Sequence, residues 1–130
     1  MNDSISPSVA LIGRIALSAI FLISGFEKIF TPAATLAYIE GAGLPWPVVA
    51  YATAIAIEVL GGLLLVVGYR VRWVASILAV FSLATAVSFH SNVADPNQMT
   101  HLLKNVAIAG GMLYVALGGA GRFSVDARPR

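Results

Sequence analysis

The sequence predicts an all-α integral membrane protein, a four-helix bundle with a short interfacial helix after the first span. Three observations lead there. Of 130 residues, 58% are hydrophobic and 11% are charged, whereas soluble domains carry about 25% charged residues. The apolar residues gather into four stretches, 9–30, 48–68, 73–89 and 102–120, close to the ~20 residues that cross a bilayer. The few ionisable residues lie within these stretches or near their ends, where charge is expensive and so informative.

A water-soluble fold of this size could not cover so much apolar surface, and the mean hydropathy of +0.87 says the same. The reading is one membrane domain over residues 1–130 and no soluble domain. The net charge of +2 comes from few, scattered basic residues, so it implies no nucleic-acid partner. The chain has no cysteine, which excludes thiol–disulfide chemistry and thiolate metal sites on its own residues.

The elements follow in order. Residues 1–8 carry Asp3 and no basic residue, no A-x-A pattern follows, and the apolar run reaches Phe30. The first stretch therefore reads as a span and not as a cleaved signal peptide. Thr31-Pro32 reads as a helix cap with proline in the first turn, opening a helix over 33–40 that is too short to cross and is closed by Gly41. Gly43-Leu44-Pro45-Trp46-Pro47 turns the chain into the second span. The connection 69–73 between the second and third spans is tight, which makes them antiparallel neighbours. Asp95-Pro96 starts the last helix before it enters the membrane, and the glycine-rich run 118–121 ends it.

Basic residues near span ends set orientation. Arg70 and Arg72 lie between the second and third spans, and Arg122, Arg128 and Arg130 follow the fourth. Both termini are therefore expected in the cytoplasm, with Trp46 and Tyr51 at the outer interface and Tyr69 and Trp73 at the inner one.

Helical spacing shows which polar residues can meet. Arg14, Ser18, Phe21, Gly25 and Lys28 share one face of the first span, and Glu27 points away from it. Ala54, Glu58, Gly61, Leu65 and Gly68 share a face of the second. At about 1.5 Å per residue, Arg14 lies roughly 9 Å in from the cytoplasmic end and Glu58 roughly 15 Å. The expectation is an intramembrane pair, Arg14 with Glu58. A second polar cluster is expected at the outer helix ends: Glu27, Lys28, His90, Lys104 and Asn105, flanked by His101. Each has a plainer alternative. Lys28 and Lys104 would snorkel to headgroups, His90 would be an interfacial side chain, and the Arg14–Glu58 pair would only hold two helices together.

No phosphate loop, dinucleotide fingerprint or metal-ligand spacing occurs, and Ser24, Ser82 and Ser88 lack a triad partner. No catalytic residue can be assigned and no metal is expected. Whether the chain is an enzyme stays open, an accessory subunit of an oxidoreductase being the compatible form.

At these residues the chain resembles the DoxX family. The resemblance runs over residues 9–128. It rests on Arg14 through Ile29, with arginine early and S-G-x-x-K late; on Gly43-Leu44-Pro45; on Glu58-Val59-Leu60-Gly61-Gly62 followed by Gly68 and the basic turn; on His90; on His101-Leu102-Leu103-Lys104-Asn105; and on the tail from Gly119 to Arg128. It implies a multi-pass protein of the bacterial inner membrane. The family name carries a link to a thiosulfate:quinone oxidoreductase, and some members resemble partners in membrane oxidoreductase assemblies that handle oxidative or thiol stress. The family's polar positions correspond here to Arg14, Lys28, Glu58, His90, Lys104 and Asn105.

The expected function is thus a membrane subunit of a redox-associated assembly. A quinone is the compatible cofactor, with His90, Lys104 and Asn105 as headgroup donors and Phe21, Phe26 and Phe89 lining a slot. Two alternatives remain: a non-catalytic scaffold or assembly factor, and a small-solute carrier working as an oligomer. The expected partners are the lipid bilayer and either further copies of the chain or another membrane protein.

Overall fold

The computed structural model describes residues 5–129. Asp3 and Arg130, used above for the leader and orientation readings, lie outside the described residues. Among those described there is no strand. The helices are α1 (Pro7–Phe30), α2 (Pro32–Gly41), α3 (Pro47–Val67), α4 (Val71–Phe89) and α5 (Pro96–Gly118). All but α2 are long and apolar enough to cross a membrane.

Each long helix starts earlier than its apolar stretch, by two residues in α1 and six in α5. Hydropathy marks the part that sits in hydrocarbon, whereas proline in the first turn and a polar cap mark where the helix begins. Asp95 is such a cap: its carboxylate accepts from the Asn97 N–H at 2.9 Å. Thr31 precedes α2, but its hydroxyl donates backwards to the Glu27 carbonyl at 2.8 Å and caps nothing.

The centre of the bundle is α4, whose Val71, Val74, Ala75, Leu78 and Ala79 are buried with Leu65 of α3, Phe21 of α1 and Ala109 and Met112 of α5. Glycines allow close approach where helices cross. Gly25 of α1 lies against Val59 and Glu58, Gly62 of α3 against Leu22, and Gly61 against Leu78. Large apolar side chains cover the outside instead: Ile12, Ile23, Val80, Val87, Tyr114 and Leu117 are exposed. In lipid that surface is solvated by acyl chains.

One turn of α3 departs from α geometry. Residues Ala56–Leu60 form a π-helical turn with Glu58 in its middle. Such insertions are found mostly as single turns and frequently at functional sites.

After α5 the tail folds back over the turn between α3 and α4. The Val125 N–H donates to Val67 O at 3.1 Å and the Asp126 N–H to Gly68 O at 2.9 Å. The Asp126 carboxylate accepts from the N–H groups of Arg70 and Val71 at 2.8 and 2.9 Å. It thereby caps the start of α4 from far along the chain.

Candidate functional site

Two polar sites occupy opposite ends of the bundle, and neither has the pairing expected from helical register. Arg14 is 1% exposed. Its Nη1 donates to the carbonyls of Leu65 and Val66 at 2.8 Å each, and its Nη2 donates to Phe123 O. The last carbonyls of a helix have no partners within it and carry the negative end of its dipole. Arg14 meets the final turn of α3, where Gly68 leaves the helix at φ +76°, and satisfies those carbonyls. With two helix-end carbonyls and the Phe123 carbonyl as its acceptors, the guanidinium is engaged at this end of the bundle, and the expected Arg14–Glu58 pair does not form.

Glu58 is paired with Lys28 instead. The Lys28 Nζ lies 3.0 Å from Glu58 Oε2 and 3.1 Å from Oε1. It also donates to Ser24 Oγ at 2.7 Å, and the Ser24 hydroxyl donates to Glu58 Oε1 at 3.1 Å. The triangle follows from local geometry. Ser24 and Lys28 are four residues apart on α1, hence one turn apart on one face, and the lysine stem is long enough to turn down into the bundle. The π-helical turn and the small Gly25 bring Glu58 to them. Tyr51 of α3 donates to the Lys28 carbonyl at 2.7 Å and holds this end of α1.

The triangle forms one wall of a cavity of about 490 Å³, a size typical of small-molecule sites. Phe21 and Ile20 line its floor, and His90, Lys104 and Asn105 contribute polar groups on the α4–α5 side. Helix α2 lies across this end, with Tyr38 stacked on Phe89 at 5.1 Å between ring centroids and 13° between planes. Asn105 Nδ2 donates to Thr85 Oγ1 at 3.4 Å, linking α5 to α4. The rings of His90 and His101 stack at 4.9 Å, and Lys104 Nζ is 3.1 Å from His101 Nδ1. Burial pushes His90 below the ordinary histidine value, and the charges of His101 and Lys104 push the same way.

Four of the five residues expected in the outer cluster, Lys28, His90, Lys104 and Asn105, therefore line one cavity. Glu27 does not. It is exposed on the far side of α1, because it sits one residue, or about 100° of helix, from Lys28. Phe26 is also turned outward at 45% exposure, so of the three expected slot residues only Phe21 and Phe89 line the cavity. Register alone missed Ser24, Thr85 and Tyr38. The i, i+4 spacing of Ser24 and Lys28 was the available signal for the first; nothing local marks the others. Among the described residues no group of three acidic or histidine side chains is placed to hold a metal ion.

Comparison with known proteins bears on this arrangement. Residues 9–91 match the DoxX family. Inner membrane protein YphA of Escherichia coli (strain K12) is 37% identical over 128 residues, covering 94% of this chain and 91% of that protein. Inner membrane protein YqjF of the same organism is 37% identical over 119 residues, covering 89% and 88%. No solved structure matches significantly. The family match takes in Arg14, Lys28, Glu58 and His90, the relatives extend along nearly the whole chain, and the chain belongs to the DoxX family.

Proposed function

We propose that this protein is a multi-pass inner-membrane subunit of a redox-associated assembly, a single membrane domain whose cavity holds a quinone headgroup. The observation that carries the reading is the joining of a buried ion pair to an apolar cavity. Lys28, Ser24 and Glu58 stand at its wall, and Lys104, Asn105 and His90 stand across from them. A quinone takes up protons as it is reduced. In this reading Lys28, Lys104 and Asn105 are hydrogen-bond donors for the carbonyl oxygens, and Glu58 and His90 are groups able to exchange protons. Phe21, Ile20 and Ile108 supply the apolar lining that such a ring needs. The quinone would supply the electron chemistry; the chain supplies orientation, donors and exclusion of water. The relatives' names support the inner-membrane location, and the basic residues of the α3–α4 turn and the tail support placing both termini in the cytoplasm. Redox partners would dock in the membrane, either another protein or further copies of this chain.

Organic extraction of protein purified in mild detergent tests the reading. Mass spectrometry should find quinone in near-stoichiometric amount, and a short-chain quinone should raise the melting temperature of the stripped protein. A Lys104→Ala, Asn105→Ala double variant should fold and lose both. Extracts free of quinone, together with no thermal response, would overturn it.

A further inference from the structure

We propose that a second site, at the opposite end of the bundle from the cavity, binds the phosphodiester headgroup of an anionic phospholipid. It is the cleft of about 590 Å³ between the tail and the start of α4, where Arg70, Arg72 and Arg122 surround Trp73. Three guanidinium groups line it against one carboxylate, Asp126, so the lining carries a net +2 (three minus one). That carboxylate is already committed: both its oxygens accept backbone N–H groups, of Arg70 at 2.8 Å and Val71 at 2.9 Å. Among the described residues no carboxylate lies within 4.0 Å of any of the three guanidinium groups, the Lys28–Glu58 pair being the one salt bridge present.

The cleft is held open by structure. The tail that carries Arg122 is fixed by Val125 and Asp126 on the α3–α4 turn and by the Arg14 bond to Phe123. Arg72 lies along Gly119, which takes φ +81° where the chain leaves α5. Arginine suits this task, because its planar fork matches phosphate oxygens two at a time.

The membrane level argues for a lipid over a free anion. The cleft lies where three membrane-length helices end or begin: the end of α3, the start of α4 and the end of α5. Trp73 is 71% exposed there, and tryptophan prefers the headgroup level. From it an exposed apolar stripe runs along α4 through Ile77 and Val80, at helical spacing. That stripe offers acyl chains a path directly below the arginines. Basic pockets at helix ends on the cytoplasmic side commonly take anionic headgroups.

Native mass spectrometry and thermal unfolding of the full chain, titrated with phosphatidylglycerol, phosphatidylcholine or inorganic phosphate, test the proposal. Phosphatidylglycerol should stay bound and raise the melting temperature, whereas phosphatidylcholine and millimolar phosphate should not. The Arg72→Gln, Arg122→Gln double variant should lose about twenty-fivefold in phosphatidylglycerol affinity, and each single variant about fivefold. The single variants carry the test if the double variant does not fold. Arg128→Gln removes the same charge from the tail but outside this cleft, and it should bind as the parent does. Equal binding of phosphatidylcholine, an equal shift with phosphate alone, or an equal loss in Arg128→Gln would each overturn the assignment, the last by reducing it to diffuse surface charge.

Discussion

Lys28 and Glu58 stand 3.0 Å apart inside the bundle, but their surroundings differ: the lysine side chain is 25% exposed and the glutamate 7%. The ammonium has a way out along its stem; the carboxylate has none. Removing one partner of a buried pair costs about 3–5 kcal/mol when the other is stranded. Lys28→Met, which strands Glu58, should therefore destabilise the protein more than Glu58→Gln, which leaves Lys28 its bond to Ser24. The double variant Lys28→Met, Glu58→Met should recover part of the loss. Thermal unfolding in detergent reads all three, and strictly additive losses would show that the two residues are not coupled.

Arg14 holds the tail through Phe123. Arg14→Met should free it, and trypsin should then cut after Arg122, which precedes Phe123, faster than in the parent. Hydrogen bonds from a charged donor contribute about 1.5–3 kcal/mol, so the acceleration should be at least about tenfold. Unchanged cleavage would mean that Asp126 and Val125 hold the tail unaided.

Gly68 sits at φ +76°, and a Cβ there would lie 2.6 Å from Arg14 Nη1 and also strike Ser124. Gly68→Ala should cost about 1–2 kcal/mol from the backbone alone and release the tail as well. Its effect on tail proteolysis should add little to that of Arg14→Met, because both act on one contact. Full additivity in the double variant would separate them.

His90 lies just beyond α4, its affinity for a proton lowered first by burial and then by His101 and Lys104. A histidine depressed in the folded state binds fewer protons there than when exposed to water. Stability should therefore fall as pH drops through the ordinary histidine value of about 6.5. Melting temperatures of the parent should decline from about pH 7.5 to about pH 5.5, and His90→Gln should flatten that decline. A parallel decline in both would place the titration elsewhere.

The helices were legible because length and hydropathy are local properties, and the polar face of α1 was legible because 3.6-residue periodicity is also local. Arg14, Ser18, Phe21 and Gly25 are buried on that face, and Glu27 is turned out. The choice of partners was not legible. Counting rise along straight helices places Arg14 near Glu58 but ignores what a helix end offers, namely carbonyls with no partner of their own. It also treats Lys28 as fixed at its Cα, although its stem reaches back toward the bundle centre. The π-helical turn around Glu58 has no local signature in Ala56-Ile57-Glu58-Val59-Leu60. The capping role of the tail was not legible either, because Asp126 accepts from N–H groups 55 and 56 residues away in sequence.

The bond from Arg14 to Phe123 joins residues 109 positions apart. During synthesis the guanidinium enters the membrane early, and the Leu65 and Val66 carbonyls reach it once the second span is inserted. Its third acceptor does not exist until nearly the whole chain has left the ribosome. Between those moments the guanidinium holds two of its three carbonyl acceptors, those of Leu65 and Val66. Closure of that contact is thus a late step of assembly, and chains truncated before residue 123 should melt at a lower temperature in detergent than the full chain.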